Sequence, residues 1–527
     1  MKKYGLCNIV LALVVALSFS VNPVFGTEVY AASIPKYTAA ATDENVLAVL
    51  KKYDPNGYLF VKTIQDKEGT EPARWYSDGD SIIDEMNTTV HEACHDYSSI
   101  LTDATYDFDT GSVIEDYGFH VADSTDLREK FDRSFMVYSN EMAGDVPGEL
   151  RDRWDTYIGD NADEHQVANQ FGVYGMMDEF NAYGWALNND LCMYEYIKDT
   201  GSKKEALNWL QQHAPTSAEA YYEYKLWIHM YLKHVKDHYP DLYASIANNR
   251  DFINVYKAID SRISSSIKQY KSITGSAAVK DYRKAVMKII KSDDYKEIRK
   301  VLKGKGVDAS AYEWKGAMDW TTINCLSFTE DGMKISWRNT DDSDGFEIYR
   351  KSSKTKFAMI KEVVKDSAMN SSTLTYYDKT IKDGGTYTYY IIPYQKNADG
   401  TKTYGEKTIE REMTMLDRVV IKNAVYKNGK ILVTWKKYKG RKVEGYEIRF
   451  IKKGDESTYV DENGSTIESS TETTMSHGIY EENATSYTSD SEMGSGEYRI
   501  SVRVFYDENE IRYFSPWSET LIVTVKE

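Results

Sequence analysis

The sequence predicts a multidomain protein in which a mainly helical α+β region precedes two all-β sandwiches. The chain has 527 residues, far more than one typical domain needs. Several segments before residue 302 carry apolar residues at helical spacing. After Trp320 the sequence changes to alternating runs rich in Val, Ile, Tyr and Thr, separated by Gly, Asn and Asp turns. We therefore expect an N-terminal segment 1–32 and three domains at 33–320, 321–413 and 414–527.

The N-terminal segment has the pattern of a secretory signal peptide. Two lysines follow Met1, an apolar run extends from Ile9 to Val21, and small residues at Ala31 and Ala32 offer a cleavage site. A retained N-terminal anchor is the alternative. Since no other segment is apolar enough to cross a bilayer, we expect a secreted, extracellular protein without a transmembrane segment after signal removal. Attachment to a cell surface would be non-covalent.

Charge and cysteine content exclude two classes of protein. The net charge of −17 argues against nucleic-acid binding, and residues 41–200 hold 34 Asp/Glu against 11 Lys/Arg. This acidity fits a solvated surface or a cleft for cationic substrates or calcium. Only Cys94, Cys192 and Cys325 follow the predicted signal peptide, which excludes a disulfide scaffold. A Cys94–Cys192 bridge is the alternative to two buried thiols, which we favour.

The first elements are predicted from periodicity and turn residues. Thr42–Tyr53 reads as a helix that ends at the turn Asp54–Gly57. Tyr58–Ile64 reads as a strand, which is a candidate edge for pairing with an extended substrate. A further helix is predicted to start at Ser81, with Asp84 completing a capping-box-like contact.

That helix contains the main chemical motif, His91-Glu92-Ala93-Cys94-His95. Its H-E-x-x-H spacing places two imidazoles one helical turn apart on one face, where both can reach a single metal ion. Glu92 lies between them and can act on a water molecule. The alternative is a pair of helix histidines that hydrogen-bond to nearby carboxylates.

The next segment, 102–145, is acidic and predicts no regular structure. Asp107–Gly111 has the start of a calcium-binding loop but lacks its remaining ligands, so Ca²⁺ is a minor expectation there. His120 and His165 are interpreted as polar contacts rather than ligands.

A second helix supplies the candidate third ligand. Its apolar residues recur at helical spacing and are Met176, Phe180, Tyr183, Leu187 and Leu191. Glu179 lies beside this apolar face, where a carboxylate is costly to bury unless a cation neutralises it.

More helices are expected up to residue 302. Thr216 with Glu219 is predicted to cap one of them. The later helices are predicted at Asp251–Tyr270, Val279–Ile290 and Asp294–Leu302. His234 and His238 share the i, i+4 spacing of metal ligands but lack an intervening Glu, so we interpret them as a surface pair.

The β-rich part contains an internal repeat. Three stretches of the first copy recur in the second: Lys334–Trp337 matches Leu432–Trp435, Gly345–Arg350 matches Gly445–Phe450, and Gly385–Ile391 matches Gly496–Val502. In the second copy, Phe514–Ser518 is predicted to open the closing strand. These sequences resemble two fibronectin type III domains, with Trp337 and Trp435 as the core tryptophans and Tyr387 and Tyr498 as the tyrosine corners. The resemblance implies spacers or contacts to cell wall, glycan or protein.

His91, Glu92, His95 and the distant Glu179 resemble the gluzincin class of zinc metallopeptidases, which have a zincin-like fold. The metzincin pattern fails because Ser98 and Leu101 stand where it needs Gly and His. The resemblance implies one catalytic Zn²⁺ held by His91, His95 and Glu179.

The resemblance also implies a mechanism for hydrolysing peptide bonds. Zinc would activate water, and Glu92 would act as general base. Tyr183 is the candidate that stabilises the oxyanion, with His120 and Tyr174 as alternatives. Asp178 and Asp96 are candidate acceptors for the ring nitrogens that do not face the metal, and the alternative for Asp96 is a charge on the helix surface.

We therefore expect a secreted zinc metalloendopeptidase that acts on peptides or proteins. One alternative is an extracellular binding or adhesion protein with an inactive or structural metal site. A second is a glycan-directed hydrolase, suggested by 43 Tyr and 10 Trp among many acidic residues.

Overall fold

The computed structural model describes residues 34–77, 79–106, 112–159, 166–275, 279–329, 332–366, 369, 371–382, 384–440, 442–453, 456–460, 466–470, 473–508 and 511–526. The predicted signal peptide 1–32, the calcium-loop start Asp107–Gly111 and His165 lie outside the described residues. Among the described helices none is long and apolar enough to cross a membrane.

A helical region comes first and is followed by antiparallel sheets, as the sequence predicts. The helices are α1 (Asp43–Tyr53), α2 (Pro55–Glu68), α3 (Met86–Leu101), α4 (Trp154–Tyr157), α5 (Val167–Gln170), α6 (Gly172–Thr200), α7 (Lys203–His238), α8 (Pro240–Asn248), α9 (Arg250–Thr274), α10 (Lys280–Ile290) and α11 (Lys296–Val301). Short 3₁₀ turns lie at Ser139–Gly144, Gly148–Leu150, Asp293–Tyr295 and Ala309–Tyr312.

The predicted helix Thr42–Tyr53 is present as α1, but the predicted turn Asp54–Gly57 is wrong, because α2 begins at Pro55. Thr42 caps α1, because its hydroxyl accepts a hydrogen bond from the backbone N–H of Asn45 at 3.3 Å. The predicted strand Tyr58–Ile64 is wrong, since these residues lie within α2. Asp54 starts that helix by accepting from the Gly57 N–H at 3.1 Å, with proline at the first helical position.

The helix with the H-E-x-x-H motif, α3, begins at Met86 and not at Ser81. The predicted capping contact exists, because the Ser81 N–H donates to Asp84 Oδ2 at 2.8 Å, but it closes a turn that precedes the helix. Val90 and Cys94 lie in the hydrophobic core and hold one face of α3 there. This packing fixes where the histidines on the neighbouring face point.

The segment 102–145 was expected to lack regular structure, but it contains an antiparallel sheet. Its strands, in spatial order, are β1 (Asp103–Tyr106), β2 (Val113–Ala122) and β3 (Thr125–Asp132). Tyr117 on β2 pairs with Glu129 on β3, and both are buried. Strand β2 packs against α3, so this sheet lies beside the motif helix.

Two long helices, α6 and α7, form the centre of the helical region. The predicted cap at Thr216 is wrong, because Thr216 and Glu219 lie inside α7, where Thr216 directly follows Pro215. Extensive packing of α7 on α6 keeps the helix continuous there, which overrides the local helix-breaking tendency of proline. The predicted later helices are present as α9, α10 and α11.

The C-terminal part contains two sets of sheets with the same strand order. The first set comprises β4 (Ile323–Thr329), β5 (Gly332–Arg338), β6 (Gly345–Ser352), β7 (Thr355–Val364), β8 (Thr373–Asp378), β9 (Thr386–Lys396), β10 (Lys402–Tyr404) and β11 (Arg411–Thr414). The second set comprises β12 (Ile421–Lys427), β13 (Lys430–Trp435), β14 (Gly445–Lys452), β15 (Glu456–Val460), β16 (Thr466–Ser470), β17 (Thr473–Ile479), β18 (Ser486–Thr488), β19 (Gly496–Glu508), β20 (Ile511–Phe514) and β21 (Leu521–Val525).

Each set is a β-sandwich of a three-stranded and a five-stranded sheet. The three-stranded sheets have the orders β4-β5-β8 and β12-β13-β18. The larger ones have the orders β10-β9-β6-β7 and β17-β14-β19-β20, with β11 and β21 also pairing with β9 and β19; β15 and β16 form a separate hairpin. Trp337 and Trp435 lie in the two cores. The Tyr498 hydroxyl donates to the Gly494 carbonyl at 2.9 Å, and that of Tyr387 lies 2.8 Å from the Lys382 N–H.

Buried polar contacts join the helical region to the first sandwich. Arg411 Nη1 donates to Asn140 Oδ1 at 3.3 Å, and Asn140 Nδ2 donates to the Asn324 carbonyl at 3.3 Å. The Arg338 guanidinium lies 4.1 Å from the centre of the Trp320 ring. Such desolvated contacts favour one fixed arrangement of the two parts.

Candidate metal centre

His91, His95 and Glu179 converge at one point between α3 and α6. The two histidine Nε2 atoms lie 3.1 Å apart. Glu179 Oε2 is 3.6 Å from the Nε2 of His91 and 3.5 Å from that of His95. These three are the one group of at least three His, Cys, Asp or Glu side chains in the described chain that could hold a metal ion.

The spacing of these three atoms fits one tetrahedral ion. Imidazole and carboxylate ligands at about 2.0–2.1 Å from zinc are separated from each other by about 3.3–3.4 Å. The observed separations of 3.1, 3.5 and 3.6 Å bracket that value. Glu179 Oε2 is buried and, among the described residues, has no hydrogen-bond partner within ordinary distance. A cation would remove the desolvation cost of this carboxylate oxygen.

The local charges favour a cation at the same point. Burial by itself raises the pKa of Glu179, but the charge of His95 and the contacts with both histidines outweigh burial and lower it to about 2. Burial lowers the pKa of His95, but the charges of Asp178 and Glu179 raise it well above its ordinary value. Both shifts reflect carboxylates that attract positive charge in a desolvated site.

Asp178 orients one of the two histidines. Its Oδ2 lies 2.7 Å from His95 Nδ1, and the carboxylate is 6 % exposed. This contact directs His95 Nε2 toward Glu179, as metal-binding histidines require. Tyr117 on β2 lies close to Asp178. Burial first, and then the charge of Asp178, raise the pKa of Tyr117 well above its usual range.

Asp96 does not take the role that its position in the sequence suggested. Its carboxylate accepts from Arg74 Nη2 at 2.6 Å and lies on the surface of α3. The prediction of Asp96 as a second orienting acceptor is therefore wrong.

Two tyrosines lie beside the three converging groups. The Tyr183 ring packs edge-on against His91 with ring centres 4.5 Å apart, and its hydroxyl lies 3.0 Å from that of Tyr157. Burial first, and then the charges of Glu179, Tyr183 and Glu92, raise the pKa of Tyr157. The negative charges of both carboxylates thus favour the neutral, protonated hydroxyl of Tyr157.

Tyr157 is a residue that the sequence did not single out. It lies on the four-residue helix α4, in a stretch with no clear periodicity, and only the three-dimensional contact with Tyr183 identifies it. Arg153 supports Tyr183: its guanidinium lies 5.2 Å from the Tyr183 ring centre and forms an ion pair with Glu223 at 2.8 Å.

The other two candidate oxyanion donors are engaged elsewhere. His120 is buried, with Nδ1 2.7 Å from Asp126 Oδ1 and Nε2 3.1 Å from Asn56 Oδ1. Tyr174 accepts from Asn249 Nδ2 at 3.0 Å and stacks on Phe131. Neither side chain lies in the converging group.

Two further sequence interpretations concern histidines and thiols outside the centre. The predicted surface position is wrong for His234, which is buried, and correct for His238, which is exposed. His234 Nδ1 lies 2.8 Å from Asp145 Oδ2, and its Nε2 lies 3.2 Å from Glu141 Oε1. Cys94 and Cys192 are both free thiols, as expected, but only Cys94 is buried and Cys192 is half-buried. Burial raises the pKa of the Cys94 thiol to about 12, so it stays protonated.

Comparisons with known proteins identify no family. No family model matches the chain, and no curated protein matches it. A solved structure of the chicken CNTN1 FN1-FN3 domains is similar, at 13 % identity over 40 % of this chain and 66 % of that chain, with a TM-score of 0.17. So low a TM-score carries no functional inference, and the chemistry must be read from the residues themselves.

Proposed function

We propose that the helical region is a metal-dependent hydrolase centre. The supporting observation is the convergence of two imidazole nitrogens and one orphaned carboxylate oxygen at separations of 3.1, 3.5 and 3.6 Å. Two imidazole nitrogens and one carboxylate form one of the three-ligand sets found in catalytic zinc sites, which keep a fourth position for water or substrate.

More specifically, we propose a zinc-dependent endopeptidase with a zincin-like catalytic domain, of the gluzincin type. His91 and His95 on α3 and Glu179 on α6 would hold the ion. Zn²⁺ in such a site supplies Lewis-acid activation of water and of the substrate carbonyl. Secretion of the protein and its action on peptides or proteins are parts of this proposal.

Glu92 would act as the general base. It is half-buried on α3 and lies between the two histidines in the sequence. Its carboxylate would accept a proton from the attacking water and pass that proton to the leaving amine.

Tyr157 and Tyr183 would stabilise the developing oxyanion together. Either hydroxyl can donate across the 3.0 Å contact, which leaves one hydroxyl hydrogen free for the substrate oxygen. Tyr157 is the stronger candidate for this free donor because Tyr183 is held against His91 and Arg153.

The two C-terminal sandwiches would be fibronectin type III modules. Their repeated strand order, the buried Trp337 and Trp435, and the backbone contacts of Tyr387 and Tyr498 support this assignment. As such modules they would contact cell wall, glycan or protein partners.

The decisive experiment combines metal analysis with hydrolysis of a mixed peptide library. We expect about one zinc ion in the wild type and in Glu92→Gln, and cleavage in the wild type alone, since Glu92 is a base and not a ligand. Tyr157→Phe should lower kcat about a hundredfold with little change in KM, because its hydrogen bond forms in the transition state.

Two outcomes would contradict the proposal. Absence of bound zinc in the wild type would favour a binding or adhesion protein. Zinc without cleavage of any library peptide would favour a structural metal site. Equal activity of Tyr157→Phe and wild type would remove Tyr157 from the mechanism while leaving the metal centre intact.

A further inference from the structure

A pocket of about 580 Å³ lies where the helical region meets the first sandwich, which we call the junction pocket. Three stretches line it: the end of α7 with the start of α8, the segment that leads from Ala311 to Trp320, and the connection between β10 and β11. Its volume falls in the usual range for ligand sites, and such sites occur preferentially between domains. The junction pocket is lined by none of the candidate metal ligands.

Rigid aromatic rings form part of its wall. Trp314 is half-buried, and its Nε1 donates to the Met318 carbonyl at 2.7 Å. Trp320 is held between the Arg338 guanidinium at 4.1 Å and Tyr239, whose ring centre is 4.7 Å away. Trp320 is only 2 % exposed, so Trp314 is the ring on which a ligand can stack. Because a hydrogen bond already fixes the Trp314 indole, stacking there immobilises few protein side chains and the entropy cost of binding is small.

Charges of both signs line the rim. Glu313, Lys315 and Glu406 are exposed, and in the described part of the chain none of them forms an ion pair. Any strongly charged ligand would therefore meet a like charge. A neutral polyhydroxy ligand would not, since its hydroxyls can donate to the carboxylates and accept from the ammonium group.

Backbone hydrogen bonds fix the connection between β10 and β11 on both sides of Glu406 and Lys407. The Gly405 N–H donates to the Pro393 carbonyl and the Thr408 N–H to the Ile391 carbonyl, each at 2.9 Å. These bonds hold the two lining residues Glu406 and Lys407 in place at the junction pocket.

A second group of rings continues from the pocket onto the first sandwich. Lys407 lines the pocket and lies 4.9 Å from the Tyr390 ring centre. Tyr390 stacks on Tyr349 at 4.8 Å and contacts Phe357 at 4.6 Å. All three rings are half-buried on neighbouring strands, so they offer a platform outside the pocket.

We infer that the junction pocket and this platform bind a neutral oligosaccharide. The apolar face of one sugar ring stacks on Trp314 while its hydroxyls bond to Glu313, Lys315 and Glu406. Further sugar units extend past Lys407 toward Tyr390 and Tyr349. This inference does not depend on the peptidase proposal.

Calorimetric titration of the full-length protein tests the inference. The probes are cellohexaose, N-acetylchitohexaose and mannohexaose, and a chelator is present so that the metal centre plays no part. We expect at least one probe to bind the wild type and its affinity to fall about tenfold in Trp314→Ala, the loss expected for one stacked ring. Trp75→Ala, at a tryptophan that is 41 % exposed and does not line the pocket, should bind as the wild type does.

A second variant guards against misfolding of Trp314→Ala. In Glu313→Gln/Glu406→Gln both changed side chains are exposed, so melting should be unchanged while affinity falls several-fold; Glu519→Gln is the matched control. Failure of all three probes to bind the wild type would overturn the inference. Equal loss in Trp75→Ala, or binding of a neutral hexapeptide in place of the sugars, would also overturn it.

Discussion

Replacing Asp178 with asparagine should weaken zinc binding, and replacing Asp96 should not. Both carboxylates are close to His95 in the sequence or in the fold, but only Asp178 contacts its Nδ1, at 2.7 Å. Asp178 is 6 % exposed, so solvent screens this charged contact weakly. The substituted amide would keep an acceptor oxygen but lose the charge that makes His95 a strong ligand.

The expected magnitude follows from the loss of an orienting partner. Such losses typically lower metal affinity tenfold to a hundredfold, which is about 1.4–2.7 kcal/mol of binding free energy. Asp96 forms a partly exposed pair with Arg74, whose loss costs about 0–1 kcal/mol of stability and should leave metal affinity within about twofold.

Competition with a chromophoric zinc chelator at one neutral pH measures both affinities, and circular dichroism verifies the folding of each variant. Zinc binding by Asp178→Asn as tight as that of the wild type would refute the orienting role of Asp178. An equal loss of affinity in Asp96→Asn and Asp178→Asn would refute it as well.

Three further predictions concern the fold around the centre. In Gly175→Ala the added Cβ would overlap with the Val167 carbonyl oxygen, so the first turn of α6 must shift. Zinc affinity should therefore fall in the chelator assay. The control Gly144→Ala should have no effect, because its Cβ would meet nothing within 4 Å. Burial lowers the pKa of His234, but Asp145 and Glu141 outweigh burial and raise that pKa to about 9. Protonated His234 therefore stabilises the fold by about 3 kcal/mol at pH values below its ordinary pKa of 6.5. This contribution disappears as the pH rises through 9. The melting temperature of the wild type should therefore fall between these pH values more than that of His234→Gln. Leu187→Ala on α6 should lower the free energy of unfolding by about 2–5 kcal/mol in denaturant titrations, because the side chain is fully buried.

The helical spacing of the motif made the site predictable in part. An i, i+4 pair on one helix face determines where His91 and His95 lie relative to each other, whatever the rest of the fold. Glu179 was identified because a carboxylate beside an apolar helix face needs a cation. The choice between Asp96 and Asp178 as orienting acceptors depends on how α3 and α6 pack, and no local pattern contains that information.

Local signals failed where tertiary packing or capping decides. Tyr58–Ile64 has strand-forming residues, but the cap at Asp54 and the buried Phe60 and Ile64 at i, i+4 spacing favour a helix. The strands β1–β3 contain several charged residues, so the alternation of apolar and polar residues that predicts a strand is weak there. The sequence does not show that Glu129 is buried; only the fold does. His234 is buried and bonds to Glu141 and Asp145, which are distant from it in the sequence.

The three converging groups and Asp178 come from two helices only, α3 and α6. Asp178 and Glu179 are consecutive, so the ligand and the group that orients His95 move as one body with α6, and both histidines move as one with α3. The geometry of these four groups therefore depends on the relative position of two helices. A small slide of one along the other would separate both histidines from both carboxylates at once, so the centre should assemble and disassemble in an all-or-none manner.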